Sequence, residues 1–464
     1  MALSRIWAAF VLVSILVATV RYVFVPADKE IFSEMVTGRV GDTVRTATPA
    51  AAPASSALAP SVPATAATST PLPSAAIPPA YRVQKADGII GTCSFAVTLA
   101  IGLIGIMALF MGLVSIAEAA GGMRFLARIT GPFFSRLFPD VPKGHPAIGH
   151  MVMNFSANLL GLDNAATPFA LKAMESLQEI NPNKDTASNP QIMFLCLHQS
   201  GLQLIPVSVI AIRVAAGSSN ATDVFLPIVI ATFLTTLASM SVVAIRQRIN
   251  LFQPAILAWI GSLSLLIGVL VLYLRSLNAT GVQSFSRAFS GGLILFIFFI
   301  IVAVAIFRKV NIFGAFVEGA KSGFDTAVRI IPYLVGILVA ISLLRTSGTF
   351  DAILEALKYL FHLTGVDTRF VDGLPTALIK PLTSAGARGM LVDTMKTFGN
   401  DSFAAHLSAI LQGSSESTFY VAAVYYGAVA IRNTRYSIGA MLAADLVSIV
   451  SSIFLCYLFF GQLH

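Results

Sequence analysis

With 464 residues, 56% of them hydrophobic and only 11% charged, the chain has too little polar material to cover a water-soluble particle of its size, since soluble domains carry about 25% charged residues. The formal charge of +8 does not point to nucleic acid: the Lys and Arg residues lie in short loops at the ends of apolar runs, where they set membrane orientation. No basic stripe interleaved with aromatics occurs, and the three cysteines, Cys93, Cys196 and Cys456, lie far apart in apolar runs with neither metal-ligand nor pairing spacing.

The first apolar run, residues 6–25, is long for a signal peptide and no small-residue cleavage site precedes Asp28, so an uncleaved span with a cytoplasmic N-terminus is expected. Residues 46–80 are almost wholly Ala, Pro, Ser and Thr, a composition that cannot offset its ordering entropy and predicts a disordered outer linker within 26–87. A long span at 89–117 and an amphipathic interfacial helix at 123–138, bearing Arg124, Arg128 and Arg136, follow. Residues 145–170 are broken by Asn154, Ser156, Asn158, Gly161, Asp163, Asn164 and Pro168 and predict a re-entrant hairpin or broken helix. Spans are expected at 192–212, 224–245, 256–274 and 293–307, then an interfacial stretch at 314–324 and a span at 330–344. The remainder reads as an amphipathic 350–363, a polar-broken 374–395 and spans at 403–431 and 438–459. Arg246, Arg248, Arg308 and Lys309 make one side cytoplasmic, leaving the loops 217–223 and 275–287 and the linker outside.

The two halves repeat one scheme. Residues 101–110 correspond to 331–340, each followed by a Gly turn (Gly121-Gly122; Gly348), an amphipathic helix, a Pro (Pro146; Pro375) and a small-residue hairpin. The next span of each half carries a polar kink, His198-Gln199-Ser200-Gly201-Leu202-Gln203 or Gln412-Gly413-Ser414-Ser415-Glu416-Ser417, and ends in Ala-Ile-Arg, at Arg213 and Arg432. An odd number of crossings separates the copies, so the repeats are expected to be inverted. Inverted repeats with broken helices are a recurrent transporter architecture, with the site at the repeat interface.

Ionisable and amide side chains at membrane depth usually face a cavity or a partner. The candidate binding residues are therefore Asn154, Asn158, Asp163, Asn164 and Thr167 in the first hairpin, and Gln199, Ser200 and Gln203 in the first kink. The second half adds Ser384 and Arg388 from its hairpin and Gln412, Ser414, Ser415, Glu416 and Ser417 from its kink. The hairpin asparagines serve equally as interhelical glue. Glu416 needs a cation, a proton or a basic partner, for which Lys380 and Arg388 are the obvious choices, and pairing with them would make the trio structural. His198 reads as a satisfied interior histidine. No H-E-x-x-H, paired-aspartate or G-x-S-x-G motif is present, so neither enzymatic activity nor a metal is expected.

The run Asn154-Phe-Ser-Ala-Asn-Leu-Leu-Gly-Leu-Asp-Asn-Ala-Ala-Thr-Pro-Phe-Ala-Leu-Lys-Ala-Met-Glu175, with Thr186-Ala-Ser-Asn189 and Leu202-Gln-Leu-Ile-Pro206, resembles spore maturation protein A. Phe316-Val-Glu-Gly-Ala-Lys-Ser-Gly-Phe-Asp325, Lys380-Pro-Leu-Thr-Ser-Ala-Gly-Ala-Arg-Gly389 and Gln412-Gly-Ser-Ser-Glu-Ser-Thr-Phe-Tyr420 resemble spore maturation protein B. The resemblance implies a fusion of two nucleoside-recognition gate domains, at 88–250 and 288–464, joined by a span and loop at 251–287 that it does not cover. Similar gate domains in concentrative nucleoside transporters and ferrous-iron transport proteins imply permeation, and the spore proteins imply a link to core dehydration. The expectation is an all-α polytopic protein of the bacterial inner membrane with two inverted gate repeats. It would move a small polar solute or ion without a cofactor, with the lipid bilayer as its other partner and homo-oligomerisation left open. The alternative is a non-transporting assembly factor in envelope or spore maturation.

Overall fold

A computed structural model describes residues 2–25, 28–38, 88–161 and 163–463; the expected linker at 46–80 lies outside the described residues. The chain is an all-α polytopic membrane protein, and among the described residues seven helices are long and apolar enough to cross a bilayer. Helices α1 (Ala2–Phe24) and α2 (Ile31–Thr37) precede two successive runs of the same element types. The first comprises α3 (Gly88–Ala119), α4 (Gly122–Leu137), the hairpin α5 (Pro146–Leu159) and α6 (Asp163–Glu179), the pair α7 (Asn189–Ser200) and α8 (Val207–Ala215), and α9 (Phe225–Gln247). Two helices, α10 (Pro254–Ser276) and α11 (Ala279–Phe307), connect it to the second run. There follow α12 (Ile312–Thr346), α13 (Thr349–His362), the hairpin α14 (Leu374–Ile379) and α15 (Ser384–Phe398), the pair α16 (Phe403–Gly413) and α17 (Thr418–Ala428), and α18 (Ser437–Phe460).

Local chemistry sets most of these boundaries. Both long helices turn into their amphipathic neighbours through a left-handed glycine, Gly121 at φ 84° and Gly348 at φ 75°, a conformation open to a residue without Cβ. A capping box between Ser188 and Gln191 opens α7, and left-handed Gly201 closes it. Pro206, which has no N–H, then caps α8. In the second copy Ser402 caps α16 by accepting from Ala405 N at 3.1 Å.

Helices α3 and α12 lie antiparallel in close contact. Added Cβ atoms would fall 2.5 Å from the Phe316 ring at Gly112 and 2.6 Å from the Met107 carbonyl oxygen at Gly323. Such approach of backbones is the small-residue mode of packing in lipid, where apolar surface alone gives helices no reason to associate. Helices α9 and α18 also run antiparallel: Gln247 donates to Tyr436 Oη at 2.9 Å at one end, and His406, beside Asp223, contacts the Phe460 ring at 4.0 Å at the other.

Two expectations are corrected. The interfacial stretch at 314–324 is instead the first part of the continuous 35-residue α12; its Gly319 and Gly323 face α3, while Glu318 and Lys321 point outward, their side chains 78% and 70% exposed. The loop expected at 275–287 is mostly helix, because the Asn278 side chain accepts from Gly281 N at 2.8 Å and starts α11 early.

Candidate functional site

Two pairs of short helices are each separated by a break, and the breaks meet. Helices α7 and α8 extend roughly 18 Å and 14 Å either side of the Gly201–Pro206 gap at 1.5 Å per residue. The pair α7–α8 runs opposite to α16–α17. At one end Asp185 O accepts from Arg432 N and Asn433 N, both at 3.0 Å, and Thr186 forms a bridge to Asn433. At the other end Asn400 Nδ2 donates to Ala216 O at 2.6 Å, and Arg213 pairs with Asp401 at 3.3 Å. Between them the breaks touch directly: Glu416 N donates to Gln199 O at 2.7 Å. Unwound backbone in lipid must find partners inside the protein, and here each break supplies some of the other's.

The second break is held by two charged groups. Lys380, at the turn of the α14–α15 hairpin, donates through Nζ to Leu411 O and, at 3.2 Å, to Ser414 Oγ; Ser448 Oγ also donates to Ser414 Oγ, at 2.6 Å. Asp445, on α18, accepts from Gln199 Nε2 at 2.7 Å, Ser415 Oγ at 3.0 Å and Thr418 Oγ1 at 2.6 Å. A cation at the carboxyl end of α16 and an anion at the amino end of α17 are the arrangement that helix dipoles favour. In the first half the corresponding place at the end of α7 holds His198, whose Nδ1 lies 3.1 Å from Asn154 Oδ1 and 3.2 Å from Asn158 Nδ2.

Beside the breaks is a polar cleft of about 20 Å³ lined by Gly201, Gln203, Ser208, Lys380, Ser384, Arg388, Gln412, Gly413, Ser415 and Glu416. That volume is room for about one water. Glu416 Oε2 accepts from Ser384 Oγ at 3.2 Å, and Ser384 Oγ lies 2.8 Å from Ser417 Oγ. Gln412 is 7% exposed and its Oε1 has no hydrogen-bond donor among the described residues; Gln199 Oε1 is in the same condition.

Of the residues singled out by sequence, Gln203, Ser384, Arg388, Gln412, Ser415 and Glu416 line the cleft, and Ser414, Ser417 and Gln199 support it. Asn154 and Asn158 belong to the His198 group instead, Asn154 also donating to Ala166 O at 2.7 Å. Ser200 bonds back to Leu197 O at 2.8 Å, and Thr167 is half-buried on α6 away from the cleft lining. The side chains of Asp163 and Asn164 lie outside the described residues. Lys380 feels the charges of both Asp445 and Glu416, but its hydrogen bonds go to α16. Asp445 is the one residue of this group that is not among the candidates from sequence.

A second buried group sits at the far end of the broken pairs, where Arg213, 0% exposed, meets Asp223 at 3.1 Å. Asp401, in the loop before α16, is pushed up by partial burial. Hydrogen bonds from Ser218 and Ser219 and the Arg213 charge outweigh that and hold its carboxyl below the usual range.

A family model described as Gate, nucleoside recognition, matches residues 100–280 and 327–432, more than half of the chain. Spore maturation protein A of Bacillus subtilis (strain 168) is 41% identical over 145 residues, covering 31% of this chain and 74% of that protein. Spore maturation protein B of the same organism is 43% identical over 155 residues, covering 33% of this chain and 85% of that protein. The two together are consistent with a fusion. No solved structure matches the chain.

Proposed function

Because the chain belongs to the Gate nucleoside-recognition family, we propose that it is a permease of the bacterial cytoplasmic membrane, carrying a small polar solute or ion between two inverted halves. The observation that carries this reading is the contact between two oppositely running broken helices, Glu416 N to Gln199 O, with ionisable side chains buried around it. Breaking a helix at this depth and burying charge beside it are both costly in lipid and recur where a hydrophilic solute must be met. The antiparallel pairing of α3 with α12 and of α9 with α18 supports inversion. The small volume of the cleft corresponds to a closed form, and alternating access requires the two breaks to part.

The relatives are named for spore maturation, and we propose that setting for this chain, with no catalytic step. Metabolites inside and outside null cells, compared with complemented cells, should differ in at least one polar solute. Wild type should restore that solute and Glu416→Gln should not, at equal membrane abundance.

A second reading, a membrane assembly factor that transports nothing, is favoured by one observation: Asp445, Lys380 and His198 spend hydrogen bonds on the protein itself. If Glu416→Gln restores the null phenotype as fully as wild type, that reading takes over.

A further inference from the structure

We infer that the exposed face of α4 is a docking surface for anionic phospholipid, with Arg124, Arg128 and Arg136 on the headgroup phosphates and Phe125 and Ile129 in the acyl layer beside them. The inference stands whether or not the chain transports a solute. On this 16-residue helix Met123, Thr130, Phe133, Phe134 and Leu137 are buried against the protein. The other side is exposed and divides into two rows. Arg124 and Arg128, four residues apart, form one row; Phe125 and Ile129, 63% and 45% exposed, form the next. A row of cations beside a row of large apolar side chains matches the boundary at which headgroups give way to acyl chains.

None of the three arginines makes a hydrogen bond or an ion pair among the described residues. The corresponding helix of the second half is the contrast. On α13, Lys358 pairs with Asp372 at 2.7 Å and Asp351 with Arg345 at 3.7 Å. The protein thus supplies partners for charges on α13 and for none of those on α4. Like charges held close together at a low-dielectric boundary repel one another. Anionic headgroups remove that repulsion, and a guanidinium matches the geometry of a phosphate.

Tertiary contacts place α4 on the basic side of the molecule. Trp259, near the start of α10, donates through Nε1 to Ile129 O at 3.4 Å and packs its ring on Phe133 at 5.8 Å. Arg246 and Arg248 lie just before that helix. The end of α3, which leads into α4, meets the start of α12 through Gly112 and Gly319, and α12 follows directly on Arg308 and Lys309. These four basic residues mark the side that the charge pattern makes cytoplasmic, where anionic lipid attracts basic amphipathic helices.

The test is thermal unfolding of the purified full chain in neutral detergent with phosphatidylglycerol, phosphatidylcholine or soluble glycerol phosphate at equal concentration. Phosphatidylglycerol should raise the midpoint, since a ligand of the folded state stabilises it. The zwitterionic lipid and the soluble phosphate should raise it far less, and added salt should weaken the effect. Arg124→Gln, Arg128→Gln and Arg136→Gln should each lower the apparent affinity for phosphatidylglycerol about fivefold, with unchanged gel-filtration profiles. Phe125→Ser with Ile129→Ser should lower it as well. Arg308→Gln with Lys309→Gln, on the same side but outside α4, should lower it less than any two of the α4 arginines. Equal responses to the two lipids or to glycerol phosphate overturn the inference, as does a full response in the triple arginine variant. If the triple variant fails to fold, the three single substitutions decide the matter. A dimer that these substitutions convert to monomer, with the lipid response unchanged, makes the face a contact between copies and sinks the lipid assignment.

Discussion

Asp445 shows how much one carboxylate holds together. It collects donors from α7, from the break and from the first residue of α17, so its removal takes an acceptor from three buried polar groups at once, of which Gln199 Nε2 keeps the Glu416 carbonyl at 3.3 Å. Buried unsatisfied donors cost about 1–3 kcal/mol each in soluble proteins, and interhelical bonds in membranes average about 0.6 kcal/mol. Asp445→Ala should therefore destabilise the chain by about 2–5 kcal/mol, read as a lowered unfolding midpoint in detergent. Asp445→Asn, which keeps one acceptor oxygen, should lose clearly less; equal losses would mean that the carboxylate is not the hub. The residue was legible in principle, as an aspartate inside the otherwise apolar span 438–459. No glycine, proline or amide breaks the apolar pattern beside it, so nothing local marks it as part of a site. The hairpin asparagines erred in the opposite sense: their position is visible in sequence, but their partner His198 lies 44 residues from Asn154, and only packing reveals that they face it.

Among the elements, α12 was misread for a physical reason. Glu318, Lys321 and Asp325 interrupt its apolar pattern, and a polar stripe on an apolar segment looks interfacial. What keeps the stretch within one long helix is the opposite face, where Gly319 and Gly323 let the α3 backbone approach. A Cβ at Gly319 would overlap the Met111 carbonyl oxygen, whereas one at Gly336 would meet nothing nearer than Trp7 Nε1 at 3.9 Å. Gly319→Leu should cost about 1–3 kcal/mol or more through overpacking, and Gly336→Leu should be close to neutral. Comparable midpoints for the two variants would show that close α3–α12 contact is unimportant. The breaks themselves were readable, because Gly201 and Pro206 are helix terminators wherever they occur.

At the scale of the whole molecule, the two halves meet end to end as well as at the centre. With Cys93, Cys196 and Cys456 replaced, Thr186→Cys with Asn433→Cys places thiols across the bridge between the halves. Oxidation should produce an intramolecular cross-link. If the halves must shift during transport, solute uptake should fall when the link forms and return on reduction. Uptake indifferent to the link would argue against relative motion at this end, and failure to cross-link would contradict the register.

The membrane class, the duplicated order of elements and the places where helices stop follow from the sequence alone, because each depends on local terms: apolar length against bilayer thickness, glycine and proline conformation, and capping. Which polar groups share one cleft was decided by tertiary structure. Asp445 and Gln199 stand 246 residues apart, and their meeting depends on how antiparallel helices pack through small residues, which no local pattern encodes.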